Sequence, residues 1–347
     1  MNNEFITAIG EIEKEKNISR DILFDAIDAA LVSAYKRNYN TNQSNVLVNI
    51  DRENGQVKVF IQKEVVDEVT DTLSQIHIDD AKKISGTYEI GDIVNIEDTP
   101  MAFGRIAAQT AKQVVTQRIK EAERSIIYDE FSAKEHKVVT GTVQRIEKKN
   151  IYLDIGKTEA YLAPGEQVAT ENYTFHKRMK VYVTEVKKTT KGTIVNVSRT
   201  RPALVGKLFE EEIPEIKDGI VEIKSISREA GSRTKIAVFS KDESVDPIGA
   251  CIGTKGTRVQ VIVDELGGEK IDIVKYSEDP KEFIKASLNP AEVVSLDVDT
   301  ENKEAHVVVP YHQLSLAIGK EGQNARLAAR LTGYKIDIKS DDPIIKL

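Results

Sequence analysis

Cysteine is nearly missing from this chain. One residue in 347, Cys251, leaves no internal disulfide and no zinc site built on paired cysteines. Its apolar neighbourhood marks it as a small core residue. No apolar run approaches the roughly 20 residues that span a bilayer. The start, MNNEFITAIGEIEKEK, lacks the basic segment and unbroken apolar core of a secretory signal. A soluble, cytoplasmic protein without membrane contact is expected. The five histidines (His77, His136, His176, His306 and His312) are scattered and form no HExxH pair. There is no G-x-S-x-G elbow and no carboxylate cluster at metal-ligand spacing. GACIGTKGT misses the Walker pattern, because Thr254 stands five residues after Gly249 where a glycine is required. No catalytic apparatus, metal or cofactor is therefore expected, and the chain does not read as an enzyme. Excess positive charge is absent too. The 49 basic and 56 acidic residues give a net charge of −7, which alone argues against coating nucleic acid by bulk attraction.

What is present suffices for several cores. Hydrophobic residues make up 40% of the chain, and its length allows two to four domains. The pattern reads as a multidomain α+β protein in four blocks: 1–135, 136–201, 202–277 and 278–347. In the first, Phe5, Ile9 and Ile12 share one helical face. A second helix opens at Ser19, with Ile18 stapled onto Leu23 and a stripe of Leu23, Ile27, Ala30, Leu31 and Ala34. Val46, Val48 and Ile50 then alternate, as do Val57, Val59 and Ile61, with Asn54-Gly55 as a tight turn between them. A strand at Asp92–Glu97 precedes a long helix opened by Thr99-Pro100. Its buried side is Phe103, Ala107, Ala111, Val115, Ile119, Ala122 and Ile126. The second block holds five short strands in about 65 residues, which suggests a small closed barrel of the OB-fold kind.

The third and fourth blocks repeat one another. IGTKGTRVQVIVDELGGEKIDIV from Ile252 matches IGKEGQNARLAARLTGYKIDIKS from Ile318, with one residue deleted before KIDI. Each copy reads helix, strand, strand, helix, Gly-x-x-Gly, helix, strand. In Gly253-Thr254-Lys255-Gly256 and Gly319-Lys320-Glu321-Gly322 the glycines let the backbone approach a ligand closely. The helix that follows turns its free N–H groups outward, which suits a phosphodiester. Lys255 and Lys320 add charge, and Arg258, Arg326 and Arg330 follow on the helices. Glu321 beside Lys320 cancels much of its attraction, so both loops are expected to bind, the first more electrostatically. A single such loop is most often an ordinary turn; two in the same frame resemble tandem KH domains of the prokaryotic type, modules that clamp about four nucleotides of a single strand.

In the barrel, Tyr152 and Tyr161 lie on neighbouring strands where they can stack bases, with Arg145, Lys148 and Lys149 near for phosphates. They read equally well as half-buried packing residues. NIYLDIGKTEAYLAPGE resembles the central strands of the OB-fold typified by ribosomal small-subunit protein one, in which aromatics stand at the positions of Tyr152 and Tyr161. A histidine common in that family is here Ala163. Phe175 and His176 either extend the surface or pack a loop.

The order of an α+β block, an OB barrel and two KH domains resembles the NusA family of bacterial transcription elongation, termination and antitermination factors. That resemblance implies a non-enzymatic, monomeric factor. Its N-terminal domain would bind RNA polymerase near the RNA exit channel, and its barrel and KH domains would bind nascent single-stranded RNA. It also implies effects on pausing and hairpin-dependent termination, and contact with other elongation or antitermination factors. Charge runs parallel to this division. Residues 1–135 carry 16 basic and 24 acidic side chains, residues 136–201 carry 13 and 6, and the remainder 20 and 26. Of two alternatives only the second stays open, since here the barrel precedes the KH copies and only about 135 residues precede the barrel. A phosphorolytic nuclease would place its KH module before the barrel and a large catalytic core ahead of both. A ribosome-assembly factor would use the same modules without polymerase.

Overall fold

The computed structural model describes residues 3–16, 18–39, 45–189 and 192–341. The end of the fourth block, 342–347, lies outside them. The described residues fall into two units, Met1–Ile126 and Ile127–Leu347.

In the first unit, α1 (Asn3–Lys16) and α2 (Arg20–Tyr39) close their apolar stripes on each other. Ile9, Leu23, Ile27 and Leu31 are fully buried. The α2 stripe is wider than its three- and four-residue spacing suggested. Phe24 and Tyr35 are buried as well, and the Tyr35 hydroxyl donates to Asp98 at 2.5 Å. β1 (Asn45–Ile50) pairs antiparallel with β2 (Val57–Val66), with Ile50 opposite Val57. That register makes 51–56 a six-residue loop rather than a two-residue turn. The Asp51 carboxylate organises it by accepting from the Glu53 and Asn54 amides. Beyond this hairpin β2 pairs with β3 (Gln75–His77) in parallel and β4 (Ile93–Glu97) antiparallel. Between them α3 (Ile78–Ile84) is capped by the His77 imidazole, so this histidine has a local role.

The helix α4 (Phe103–Ser132) starts three residues after Pro100, whose carbonyl accepts the Phe103 amide at 2.9 Å. Phe103, Ala107, Ala111 and Val115 are buried as expected, whereas Ile126 is 52% exposed. The stripe thus leaves the first core before its end. The last turns of α4 belong to the second unit, where Phe131 is buried among barrel residues. Residues 127–135, read with the first block, pack with the second.

The second unit opens with a closed barrel. Its strands are β5 (Val138–Glu147), β6 (Asn150–Asp154), β7 (Glu159–Leu162), β8 (Arg178–Thr189) and β9 (Gly192–Ser198), in the cyclic order β5-β6-β7-β9-β8. Alternation along each strand turns Val143, Leu153, Leu162, Val181, Val183 and Val195 inward. Next come α5 (Pro202–Glu212), α6 (Pro214–Lys217), β10 (Val221–Glu229), β11 (Arg233–Ser240), α7 (Pro247–Ile252), α8 (Thr257–Glu265) and β12 (Lys270–Lys275). The second copy is α9 (Pro280–Ser287), β13 (Ser295–Asp299), β14 (Glu304–Val309), α10 (Leu314–Ile318), α11 (Gln323–Thr332) and β15 (Lys335–Ser340). Both sheets run antiparallel then parallel, β10-β11-β12 and β13-β14-β15. The deleted residue is absorbed between the last helix and the last strand, where 266–269 in the first copy correspond to 333–334 in the second, after helices of 9 and 10 residues.

Candidate nucleic-acid interface

The two Gly-x-x-Gly loops share one backbone. Gly253 and Gly319 have φ/ψ of 72/176° and 76/169°, and Gly256 and Gly322 have 78/12° and 76/15°. The first glycine of each pair is required sterically. A Cβ on Gly253 would lie 2.7 Å from Arg258 Cγ, and one on Gly319 would lie 2.7 Å from the Asn324 amide nitrogen. The second is required by its left-handed φ, where a side chain is disfavoured. Between them Lys255 (55/26°) and Glu321 (54/27°) are both left-handed, a conformation that costs a non-glycine residue about 1–2 kcal/mol.

Lys255 and Lys320 are not equivalent: Glu321 stands where Lys255 stands, and Lys320 where Thr254 stands. The first loop carries its charge at the crest and the second on its approach, with a carboxylate at the crest. Thr254, Lys255, Lys320 and Glu321 are all exposed, and among the described residues neither lysine has an ion-pair partner.

The arginines that follow each loop make contacts within the protein. Arg258 Nη1 donates to the Ala250 carbonyl at 2.7 Å and to Glu215 at 2.9 Å, which ties α8 to α7 and α6. Arg326 donates through Nε to Glu229 at 2.7 Å and through Nη1 to the Glu321 carbonyl at 2.9 Å. Arg330 lies 3.9 Å from Glu229. Arg258 and Arg326, expected among the RNA-binding residues, thus also hold protein groups, while the Arg330 side chain stays 58% exposed.

In the barrel, cross-strand pairing brings the expected residues together. Arg145 faces Tyr152 between β5 and β6, and Tyr152 faces Tyr161 between β6 and β7. The tyrosine rings are 5.6 Å apart at 48°, and the Arg145 guanidinium lies 3.9 Å above the Tyr152 ring. Both tyrosines are half-buried. The Tyr161 hydroxyl donates to Asn150 at 3.0 Å. Arg145 also pairs with Glu147 at 2.7 Å and Glu159 at 3.0 Å, so it orients the Tyr152 ring more than it offers free charge. Lys148 and Lys149 form the β5–β6 turn with left-handed φ of 48° and 72°, and both side chains are exposed. Ala163 follows β7, half-buried. Phe175 is 61% exposed and His176 is left-handed.

Buried ion pairs lie within and between these domains, and sequence reasoning missed them. Arg199, 2% exposed, pairs with Glu171 in the barrel and donates to Glu265 at 3.0 Å at the end of α8. The Lys180 amide on β8 donates to the same Glu265 carboxylate at 2.8 Å. Arg228 and Glu269 are both fully buried and paired at 2.9 Å. Between the two repeats, the buried Lys235 ammonium donates to Asp272 at 3.0 Å and to the Asn289 carbonyl at 3.2 Å. Burial pulls its pKa below the usual lysine value. Phe283 and Leu331 of the second repeat pack on Ala237 and Val274 of the first. These partners lie tens of residues apart in the chain, and no local pattern announces them.

Among the described residues no three His, Cys, Asp or Glu side chains cluster as a metal site would need, and no helix is long and apolar enough to cross a membrane. Cys251 is fully buried, and burial pushes its thiol pKa up to about 12.

Four family descriptions match the chain in order. They are the NusA N-terminal domain at 4–125, the S1 RNA binding domain at 132–198, the NusA-like first KH domain at 199–276 and the NusA-like second KH domain at 280–344. Among similar proteins are the transcription termination/antitermination protein NusA of Halalkalibacterium halodurans and that of Bacillus subtilis. Each is 57% identical over 98% of this chain, covering 89% and 92% of their own lengths. The protein of the same name from Thermus thermophilus is 42% identical over 97% of the chain and 89% of its own length.

Proposed function

The chain belongs to the NusA family of transcription termination/antitermination proteins, and on that footing we propose that it binds RNA polymerase and nascent single-stranded RNA to modulate pausing, hairpin-dependent termination and antitermination. It acts by binding, with no chemistry of its own. The observation that carries this reading is the pair of Gly-x-x-Gly loops with one backbone geometry, exposed on the same unit as the Arg145–Tyr152–Tyr161 stack. Amides and lysines at the loops suit phosphates, and the half-buried tyrosine pair suits unpaired bases. The residues assigned to RNA are Gly253, Thr254, Lys255, Gly256, Gly319, Lys320, Gly322, Tyr152, Tyr161 and Lys148. Arg258 and Arg326 serve by shaping the loops.

Supporting a polymerase-docking role for residues 1–126 are the match to the NusA N-terminal domain and an acidic surface ill-suited to RNA. Changing Thr254 and Lys255 to Asp is expected to weaken binding of a single-stranded RNA at least tenfold, because two carboxylates would face a phosphate, while the far-ultraviolet circular dichroism stays unchanged. Affinity unaltered by this change and by Lys320→Asp would remove the loops from the RNA site. Deleting residues 1–126 is expected to abolish polymerase co-purification and spare RNA binding. Recovery of ribosomal subunits without polymerase would favour the ribosome-assembly alternative.

A further inference from the structure

Glu229 ends β10 in the first KH domain, yet its carboxylate is claimed by the second. Gln323 Nε2 donates to Glu229 Oε2 at 2.9 Å, Arg326 Nε donates to Oε1 at 2.7 Å, and Arg330 stands 3.9 Å away. Residues 323, 326 and 330 share one face of α11 because they lie three and four positions apart. Gln323 also donates to the Ser232 hydroxyl at 2.7 Å. The hydrogen bond from Arg326 holds the Glu229 carboxyl below the usual carboxylate range.

The same guanidinium has a second face. Its Nη1 donates at 2.9 Å to the carbonyl of Glu321, the left-handed crest of the second Gly-x-x-Gly loop. A single planar group thus links a carboxylate of one KH domain to the backbone of the other domain's loop. The first loop has a different arrangement, since Arg258 bonds Ala250 and Glu215 within its own domain.

We infer that Glu229 is a positioning residue for RNA at the second KH loop. It orients Arg326, and Arg326 fixes the Glu321 carbonyl, so that the loop amides are held ready for a phosphate. The inference rests on the RNA-binding reading of the loops. It makes the grip of the second loop depend on the first domain being docked beside it. One strand of RNA then meets two loops at a fixed spacing. Simple electrostatics gives the opposite sign. A carboxylate near a phosphate site repels RNA, so neutralising it without any positioning role would tighten binding.

The test is equilibrium binding of a short single-stranded oligoribonucleotide to the full chain. Glu229→Gln is expected to weaken binding about fivefold, the size of one lost hydrogen bond. Arg326→Lys keeps the charge but not the planar fork that serves two acceptors, and is expected to weaken binding by a similar factor. Neither change should add to the effect of Lys320→Asp, because all three act on one loop. Wild-type or tighter binding by Glu229→Gln, wild-type binding by Arg326→Lys, or full additivity with Lys320→Asp would each overturn the inference. A loss with Lys320→Asp but none with Glu229→Gln sinks this inference alone. No loss with Lys320→Asp or with the paired Thr254 and Lys255 changes sinks the loop reading and this inference together.

Discussion

Arg228 and Glu269 lose all contact with water, and the pair is completed by Thr234 donating to Glu269 at 2.6 Å and the Gly231 amide donating at 2.7 Å. Removing one partner strands the other charge in a medium that solvates it poorly. Arg228→Met should therefore cost about 3–5 kcal/mol in urea unfolding of the second unit, while adding Glu269→Leu should recover much of the loss. A loss below about 1 kcal/mol in the single variant would contradict the burial. Such pairs explain what the sequence conceals at this scale. Arg258, Arg326 and Arg330 carry charge at a spacing that suits phosphate, and nothing local tells whether Glu215 or Glu229 claims them. The contrast between the two loops was legible from Glu321 beside Lys320; the backbone adds that Glu321 and Lys255 occupy the same left-handed position. Tyr152 and Tyr161 were easier to read, because period-two alternation puts them on one face and cross-strand pairing does the rest.

Elements were legible wherever their apolar period was unbroken. The glycine pairs fixed the frame of both KH copies, since left-handed backbone at those sites admits few other residues. The barrel strands were legible for the same reason as its tyrosines. The long helix α4 was not fully so: its period persists past Val115 although its first core ends, and Ile126 emerges into solvent. On α2 a polar residue interrupts the buried face. Asp28 Oδ1 is buried without a hydrogen-bond partner, and burial raises its carboxyl pKa to about 6. The folded value lies above the unfolded 3.8, so the proton stabilises the folded state. That contribution is complete below about pH 4 and lost as pH rises through 6. Asp28→Asn should raise the unfolding midpoint of the N-terminal unit by a few degrees at pH 7, and the gain should vanish near pH 4. No gain at pH 7 would place Asp28 in water.

Across the whole molecule, the shortage of positive charge proves a matter of distribution. The barrel segment 136–201 has 13 basic and 6 acidic residues inside a chain of net −7. The KH loops expose single lysines within acidic domains. Arg199, paired with Glu171 and Glu265, joins the barrel to the first KH domain, and the Lys235 bond to the Asn289 carbonyl with the packing of Phe283 and Leu331 joins the first KH domain to the second. The order of domains was readable from the repeat and the strand count; their docking was not, because it depends on pairs distant in the chain. The central claim is that RNA held by this unit alters the behaviour of polymerase. Its most direct measurement is the lifetime of a hairpin-stabilised pause in transcription with matched polymerase. The full chain is expected to lengthen the pause severalfold, and the variant with Thr254, Lys255 and Lys320 all changed to Asp is expected to lose most of that effect. A pause unchanged by the full chain, or lengthened equally by the loop variant, would contradict the account.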